Sequence, residues 1–240
     1  IGWMALTVKT IGLLGGMSWE STQTYYSLLN REVKARLGGL HSAKVLLLSL
    51  DFAEIEHLQS VGDWCSAAAI LSDAARQLEA GGADCFAICT NTMHELYDEV
   101  SGAVQIPCLH IADALGEFAA KNSLQNLGLL GTRFTMERDF FRDRLSKNYG
   151  ITVSIPGKLQ RCEIHRIIYE ELCLGDFSDK SRDYLLDVIG QMIKVDIEGI
   201  ILGCTEIGLS VQQAHVPIPV LDTTSIHARS LVDFAIHHEF

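Results

Sequence analysis

The chain contains two similar halves, and this duplication limits the folds it can adopt more than any other feature. Residues 11–16 read Ile-Gly-Leu-Leu-Gly-Gly, and residues 127–132 read Leu-Gly-Leu-Leu-Gly-Thr. A second pair of similar segments, residues 82–91 and 197–206, ends in Cys-Thr-Asn and Cys-Thr-Glu. The spacing is nearly the same, since 78 positions separate Gly12 from Thr90 and 76 separate Gly128 from Cys204. We interpret the chain as a duplicated unit; two unrelated strand–turn segments are the alternative, but they leave the matched spacing unexplained.

Short apolar segments alternate with longer segments of helical periodicity. Strands are predicted at residues 10–14, 44–50, 85–89, 108–111, 127–130, 153–155, 199–202 and 220–221. Helices are predicted at residues 21–37, 66–80, 112–121, 135–148, 162–172, 178–195 and 225–238. Such alternation is typical of a parallel sheet covered by helices. We therefore predict an α/β fold with two domains, residues 9–111 plus 220–240 and residues 112–219, each a mainly parallel sheet flanked by helices.

The repeated segments also predict where a ligand binds. In parallel α/β sheets, ligands bind beyond the carboxyl ends of the strands, and all four repeated segments lie at such ends. Two pseudo-symmetric halves would place Thr90 and Cys204 on opposite sides of one active site at the domain interface. This arrangement suits the inversion of a stereocentre, because one proton leaves from one face of the carbon and another arrives at the opposite face.

The bulk composition excludes several classes of protein. Hydrophobic residues make up 48% and charged residues 20% of the chain, as in globular proteins. The net charge of −11 argues against a nucleic-acid partner. No apolar run approaches the roughly 20 residues that span a bilayer, so no membrane association and no secretory signal are expected. The seven cysteines form no Cys-x-x-Cys pair, which favours a reducing cytoplasmic location with neither disulfides nor a metal site.

Five motifs together resemble one known family, the aspartate/glutamate racemases. They are residues 15–20, 90–94, 131–136, 168–172 and 203–206, and they follow one another in the family's order. The resemblance extends from residue 10 to about residue 235. It implies two Rossmann-like domains, a homodimer, an acidic amino acid as substrate, and catalysis by two cysteines without a cofactor, whether pyridoxal phosphate or metal.

The chain departs from the family pattern at the first catalytic position. The family motif there reads Cys-Asn-Thr, whereas this chain has Thr90 followed by Asn91 and Thr92. Cys89 does not replace the missing thiol, because neighbouring side chains of a strand point to opposite faces. A subgroup with the same Thr/Cys pair is described as specific for L-aspartate and L-glutamate. At Cys173 several aspartate racemases have a lysine, so the distal carboxylate must be recognised in another way.

Cys204 is the predicted main acid/base. Backbone N–H groups at a helix start can lower a thiol pKa, and the thiolate would remove the α-proton; a buried strand-end cysteine is the alternative. Glu206 either orients this thiol or is a solvated carboxylate at a helix start. A threonine hydroxyl is a far weaker acid than a thiol, so Thr90 either relays a proton through water or only fills the position.

The predicted substrate-binding residues are mainly hydroxyl and amide side chains near the strand ends, which can form an anion-binding nest. They are Asn91, Thr92, Thr132, Thr135, Thr205 and Glu206, together with Met17, which packs on the substrate or fills the core. Asp51 is interpreted as a helix cap rather than a contact to the amino group. Each of four histidines could be a proton shuttle, although a lone histidine is usually structural, and only His94 is expected near the cleft; the four are His94, His110, His165 and His227.

The sequence thus predicts a cofactor-independent racemase that interconverts L- and D-aspartate or glutamate. A one-cysteine decarboxylase or cis–trans isomerase on the same scaffold is the first alternative. A non-catalytic amino-acid-binding protein is the second. The Gly-rich turn at residues 12–16 lacks both Gly-x-Gly-x-x-Gly and Gly-Lys-Ser/Thr, so a nucleotide site is a poor fit.

Overall fold

The computed structural model describes residues 8–236, which form two compact units. The first unit runs to Cys89 and resumes over Leu96–His110 and from His227 onward. The second unit comprises Thr90–Glu95 and Ile111–Ile226. Each unit has its own parallel sheet and its own apolar core, so the predicted α/β fold with two helix-flanked parallel sheets is confirmed.

The first unit is built on a three-stranded parallel sheet in the order β2-β1-β3. Its strands are β1 (Thr10–Gly15), β2 (Lys44–Ser49) and β3 (Cys85–Ile88). Its helices are α1 (Trp19–Leu37), α2 (Phe52–Val61), α3 (Trp64–Ala80) and α4 (Tyr97–Gly102). The central strand and α1 supply fully buried side chains to its core, among them Ile11, Leu13, Tyr25 and Leu29.

The second unit repeats this plan with a fourth strand, in the order β5-β4-β6-β7. Its strands are β4 (Asn126–Gly131), β5 (Thr152–Ser154), β6 (Gly199–Gly203) and β7 (Val220–Asp222). Its helices are α5 (Ile111–Lys121), α6 (Arg133–Glu137), α7 (Asp139–Tyr149), α8 (Lys158–Glu170), α9 (Asp179–Ile193) and α10 (Thr205–Ser210). The last helix, α11 (Thr223–Ile236), begins in the second unit and continues into the first.

The strand topology supports the duplication that the sequence predicts. In each sheet the first strand of the repeat is central, with the second strand on one side and the third on the other. The strand predicted at residues 108–111 is reduced to a single bridge between Phe86 and Cys108. This bridge occupies the place of β7. Phe86 pairs with Gly12 in the first sheet as Ile200 pairs with Gly128 in the second, and Ile200 pairs on its other side with Val220 of β7. Helix α5 already begins at Ile111, so the fourth strand of the first sheet has no room to extend.

The contacts divide the chain differently from the predicted domain bounds at two places. The sequence predicts residues 220–240 in the first domain, but β7 pairs with β6 and therefore lies in the second sheet, and only the chain from His227 onward lies in the first unit. Residues 90–95 were also predicted in the first domain, and they contact the second unit more extensively. Part of the predicted final helix, residues 237–238, lies outside the described residues.

None of the helices within residues 8–236 combines the length and the apolar character needed to cross a membrane.

Candidate active site

Two paired glycines at the ends of β4 and β6 bring the residues that follow these strands next to each other. Gly131 and Gly203 are register partners in adjacent parallel strands, which lie roughly 4.8 Å apart. A Cβ atom on Gly131 would lie 2.8 Å from the carbonyl oxygen of Gly203, so no larger residue fits without moving a strand. Thr132 and Cys204 follow these glycines directly, and they are therefore neighbours at the carboxyl edge of the second sheet.

Three buried hydroxyl groups, here called the hydroxyl triangle, meet next to this edge. The Oγ1 atoms of Thr92 and Thr132 are 2.9 Å apart, those of Thr132 and Thr135 are 3.1 Å apart, and those of Thr92 and Thr135 are 3.4 Å apart. Thr132 Oγ1 also caps α6 by accepting a hydrogen bond from the backbone N–H of Thr135. The hydroxyl groups satisfy one another, and each can rotate its proton toward an anion instead.

Asn91 adds a buried acceptor next to Thr92. Its amide Nδ2 donates to Thr223 Oγ1 over 3.0 Å, and that hydroxyl donates to the carbonyl oxygen of Leu202 at the end of β6. The side-chain oxygen Oδ1 is buried and has no hydrogen-bond partner. An unpaired buried acceptor is costly, and a ligand N–H group would satisfy it.

Cys204 is buried and donates its thiol proton to a carboxylate. Its Sγ atom lies 2.9 Å from Glu206 Oε2, and Thr205 Oγ1 donates to the same oxygen over 2.8 Å. Burial and, next, the negative charge of Glu206 raise the pKa of Cys204 well above its usual value. The helix start that follows Cys204 in the sequence predicts a lowered pKa, and the structure shows the opposite direction. Burial, together with a carboxylate placed two residues after the thiol, outweighs the effect of the six-residue α10.

Glu206 is only 4% exposed, so it is not the solvated carboxylate of the alternative interpretation. It accepts the protons of both Cys204 and Thr205. Because the single hydroxyl proton of Thr205 is engaged there, this residue is less suited to donate to an anion than the sequence suggested.

Thr90 is held through its backbone. Its carbonyl oxygen accepts a hydrogen bond from His94 Nδ1 over 2.8 Å. Since a carbonyl cannot donate, Nδ1 carries the proton, and Nε2 is the bare nitrogen that accepts from the backbone N–H of Ile111. The buried His94 ring thus ties Thr90 to the start of α5. Both nitrogens make backbone hydrogen bonds, which leaves no role for His94 as a proton shuttle.

Comparison with known proteins identifies the family. Residues 14–231 match the family described as Asp/Glu/Hydantoin racemase. The chain belongs to this family. A crystal structure of a candidate Asp/Glu racemase from Yersinia pestis is 50% identical, with a TM-score of 0.88 over 95% of this chain and 100% of that chain. An aspartate racemase homologue from Pyrococcus horikoshii OT3 is 33% identical, with a TM-score of 0.81 over 95% of this chain and 99% of that chain.

A more distant similarity shares the fold alone. A variant of arylmalonate decarboxylase is 14% identical to the chain, with a TM-score of 0.55 over 93% of each chain. The same scaffold therefore occurs among Asp/Glu racemases and in a protein with a decarboxylase name.

Three other residues that the sequence brought into question, Met17, Asp51 and Cys89, belong to the first unit. Met17 is buried in the first unit, and its packing is compatible with a core role. Asp51 is exposed and caps α2 by accepting from the backbone N–H of Ala53, as the capping interpretation expects. Burial raises the pKa of Cys89, and its thiol is directed to the carbonyl oxygen of Ala87. A reactive thiol at position 89 is therefore not supported.

Sequence reasoning missed Thr223, which links Asn91 to the end of β6. A signal for it existed, because this threonine follows β7 directly and so lies at the same carboxyl edge as Thr132 and Cys204. Within residues 8–236, no group of three or more His, Cys, Asp or Glu side chains is arranged to hold a metal ion.

Proposed function

We propose that this protein is a cofactor-independent racemase of aspartate and glutamate, with Cys204 as its main acid/base. The observation that carries the proposal is that the buried thiol of Cys204 and Thr132 of the hydroxyl triangle follow paired strand ends, with a carboxylate accepting the thiol proton. This arrangement supplies an anion site, a proton acceptor and a route for the proton within one edge of the second sheet.

The α-carboxylate of the substrate would bind at the hydroxyl triangle. Thr92, Thr132 and Thr135 each carry one proton that can turn from a neighbouring hydroxyl to a carboxylate oxygen. The same hydrogen bonds would strengthen as negative charge develops on that carboxylate after loss of the α-proton. The unpaired Oδ1 atom of Asn91 would accept from the substrate ammonium group, which would satisfy a buried acceptor.

Cys204 would then exchange the α-proton through Glu206. The thiol proton moves to Glu206 Oε2, and the resulting thiolate removes the proton from Cα. The C–H bond breaks, an S–H bond forms, and the electron pair remains on Cα and the adjoining carboxylate. A proton delivered to the opposite face completes inversion, whereas return of a proton from Cys204 regenerates the starting enantiomer.

Thr90 takes the position of the usual first cysteine in this proposal. It relays a proton through water, or it only fills the position. In both cases the protons on the two faces of the α-carbon exchange at unequal rates, because a hydroxyl is a much weaker acid than a thiol. Cys204 would serve the L-enantiomer, and D-enantiomers would react more slowly.

The test is loss of the α-proton signal in NMR spectra of L- and D-aspartate and glutamate in deuterated buffer. Wild-type protein should exchange the α-proton, and Cys204→Ala should lower the rate at least about 100-fold, the lower bound for loss of a general acid/base. Cys65→Ala, at an exposed cysteine of the first unit, is the matched control and should keep the rate. Exchange that persists in Cys204→Ala would exclude this base. Thr90→Cys should raise turnover of D-enantiomers, and an unchanged rate would refute the relay.

The alternatives give different products in the same samples. A decarboxylase, favoured only by the shared fold, would release carbon dioxide, and a cis–trans isomerase would require an alkene. A non-catalytic amino-acid-binding protein would be stabilised thermally by its ligand without any exchange. The homodimer remains a prediction, and sedimentation at twice the 26.4 kDa of one chain would support it.

A further inference from the structure

We infer that Arg133 is the residue that binds the distal carboxylate of the substrate and so selects acidic amino acids. This inference rests on the proposed function, since it assumes that the α-carboxylate binds at the hydroxyl triangle. Arg133 would thus provide the recognition of the distal carboxylate that Cys173 cannot provide, because several aspartate racemases have a lysine at that position.

Arg133 forms no ion pair with Asp or Glu among residues 8–236. Of the eleven arginines in the chain, nine form an ion pair with Asp or Glu among the described residues, and Arg31 and Arg133 do not. The neighbouring cation on the same segment, Arg138, is already paired with Glu95 at 2.9 Å. Of these two arginines on the segment that follows Thr132, Arg133 is therefore the one left for an anionic ligand.

The local fold places Arg133 beside the proposed carboxylate site. It is the first residue of α6 and follows Thr132, whose hydroxyl belongs to the triangle. Successive Cα atoms are about 3.8 Å apart, and the long guanidinium arm reaches well beyond that distance. An aspartate or glutamate held by its α-carboxylate extends its second carboxylate by only two or three carbon atoms, which is within reach of this arm.

A group of rings supports the Arg133 side chain. The guanidinium carbon lies 5.8 Å from the centre of the Phe134 ring, within the range of cation–π contacts. Phe134 meets His165 edge to face at 5.8 Å, and the His165 ring lies 4.7 Å from that of Tyr169. The backbone N–H of Arg133 donates to His165 Nδ1 over 3.3 Å. Backbone and rings together hold a cation near the substrate while its charge stays unpaired.

The chemistry of the guanidinium matches this role. Its planar fork binds a carboxylate through two parallel hydrogen bonds, which a single ammonium group does not reproduce. The protein as a whole has a net charge of −11 and repels acidic amino acids. A local cation is therefore needed if acidic substrates are to be preferred over their neutral amides.

The experiment compares acids with amides of the same shape. We would measure kcat/KM for α-proton exchange of L-aspartate and L-asparagine in wild type, Arg133→Gln and Arg133→Lys. Arg133→Gln should lower the value for L-aspartate at least about tenfold and leave that for L-asparagine within about twofold. Arg133→Lys should retain part of the preference for the acid. Arg31→Gln, the other arginine without an ion pair, is the control and should leave the ratio unchanged.

Each outcome decides one question. If wild type exchanges no amino acid, the proposed function fails. If wild type exchanges L-aspartate but Arg133→Gln lowers acid and amide equally, or lowers neither, the inference about Arg133 fails and the function stands. Where exchange of L-asparagine is too slow to follow, the inhibition constants of succinate and its monoamide against L-aspartate exchange give the same ratio.

Discussion

At the scale of single residues, the main finding is that the thiol of Cys204 is harder to ionise than a free thiol. Burial and the charge of Glu206 both raise its pKa. A cysteine in such a place is protonated in the resting protein, because burial disfavours the ionised form. As the proposed base, Cys204 would therefore lose its proton only during the reaction. The carboxylate oxygen of Glu206, 2.9 Å from Sγ, is the group positioned to accept this proton.

Replacing Glu206 with glutamine separates these two effects. Removing the negative charge should lower the pKa of Cys204, while removing the proton acceptor should slow α-proton exchange about 100-fold or more. The pH dependence of thiolate absorbance near 240 nm, with Cys204→Ala subtracted as the blank, reports the pKa, and NMR reports the exchange. Slower exchange together with a lower thiol pKa supports the acceptor role. Exchange at the wild-type rate would show that Glu206 only packs beside the thiol.

The sequence predicted the residue types of this site better than their interactions. The repeats and motifs of the sequence predict three features of the site. These are the threonine in place of a cysteine at position 90, Cys204 as a candidate base, and the threonines of the hydroxyl triangle. The direction of the Cys204 pKa was not, because it depends on burial and on which way the Glu206 side chain turns. For the same reason His94 was open as a proton shuttle until the structure showed backbone partners on both of its nitrogens.

At the scale of elements, most strands and helices lie where periodicity predicted them, and the differences have local causes. The helix predicted over residues 135–148 is divided into α6 and α7, because Arg138 adopts an extended conformation with ψ of 155°. Helix α2 was not predicted, although Asp51 gave its capping signal. The strand predicted at residues 108–111 becomes one bridge because α5 starts at once. Lengths of neighbouring elements, which a local pattern does not contain, decide such cases.

Within the first unit, a buried histidine joins α11 to α1. His227 Nε2 donates to the carbonyl oxygen of Leu109, so Nδ1 is the acceptor for the hydroxyl of Tyr25, at 2.9 Å in both cases. Both side chains are fully buried. Burial lowers the pKa of His227 from 6.5 to about 4, so the ring is neutral in the folded protein.

Because of this histidine, the free energy of unfolding should be lower in acid. The unfolded chain binds a proton on His227 below about pH 6.5, whereas the folded chain does so only near pH 4. The stability that the neutral ring contributes is therefore complete above pH 6.5 and is lost as the pH falls toward 4, by about 3 kcal/mol in all.

His227→Gln keeps one donor and one acceptor but cannot be protonated, so it tests this effect. Urea unfolding of wild type and variant at pH 7.5 and pH 4.5 gives the difference in free energy at each pH. Subtraction removes the contribution of the carboxylates that both proteins share. Wild type should lose stability relative to the variant in acid, and an equal loss in both proteins would refute the assignment.

At the scale of the whole molecule, the strands of both sheets end at repeated Gly-containing segments, but the two copies carry different side chains after the second of these segments. The first copy has Thr90 where the second has Cys204. The hydroxyl triangle, the Cys204–Glu206 pair and Arg133 all belong to the second unit. A site made of a few local donors must then bind an acidic ligand against the net charge of −11.

Salt should therefore affect ligand binding only weakly. Between 20 and 300 mM NaCl, screening would reduce the long-range attraction of the exposed Arg133, but it would weaken the short-range hydrogen bonds between its guanidinium and a carboxylate much less. Screening also reduces the repulsion from the protein's net negative charge, which acts in the opposite direction. The buried hydroxyl contacts change little. We expect the Kd of L-aspartate for Cys204→Ala, measured by calorimetry, to change less than about fivefold, with L-asparagine as the neutral control. A loss of affinity above tenfold for L-aspartate alone would mean that exposed charges, and not the buried hydroxyl triangle, hold the ligand.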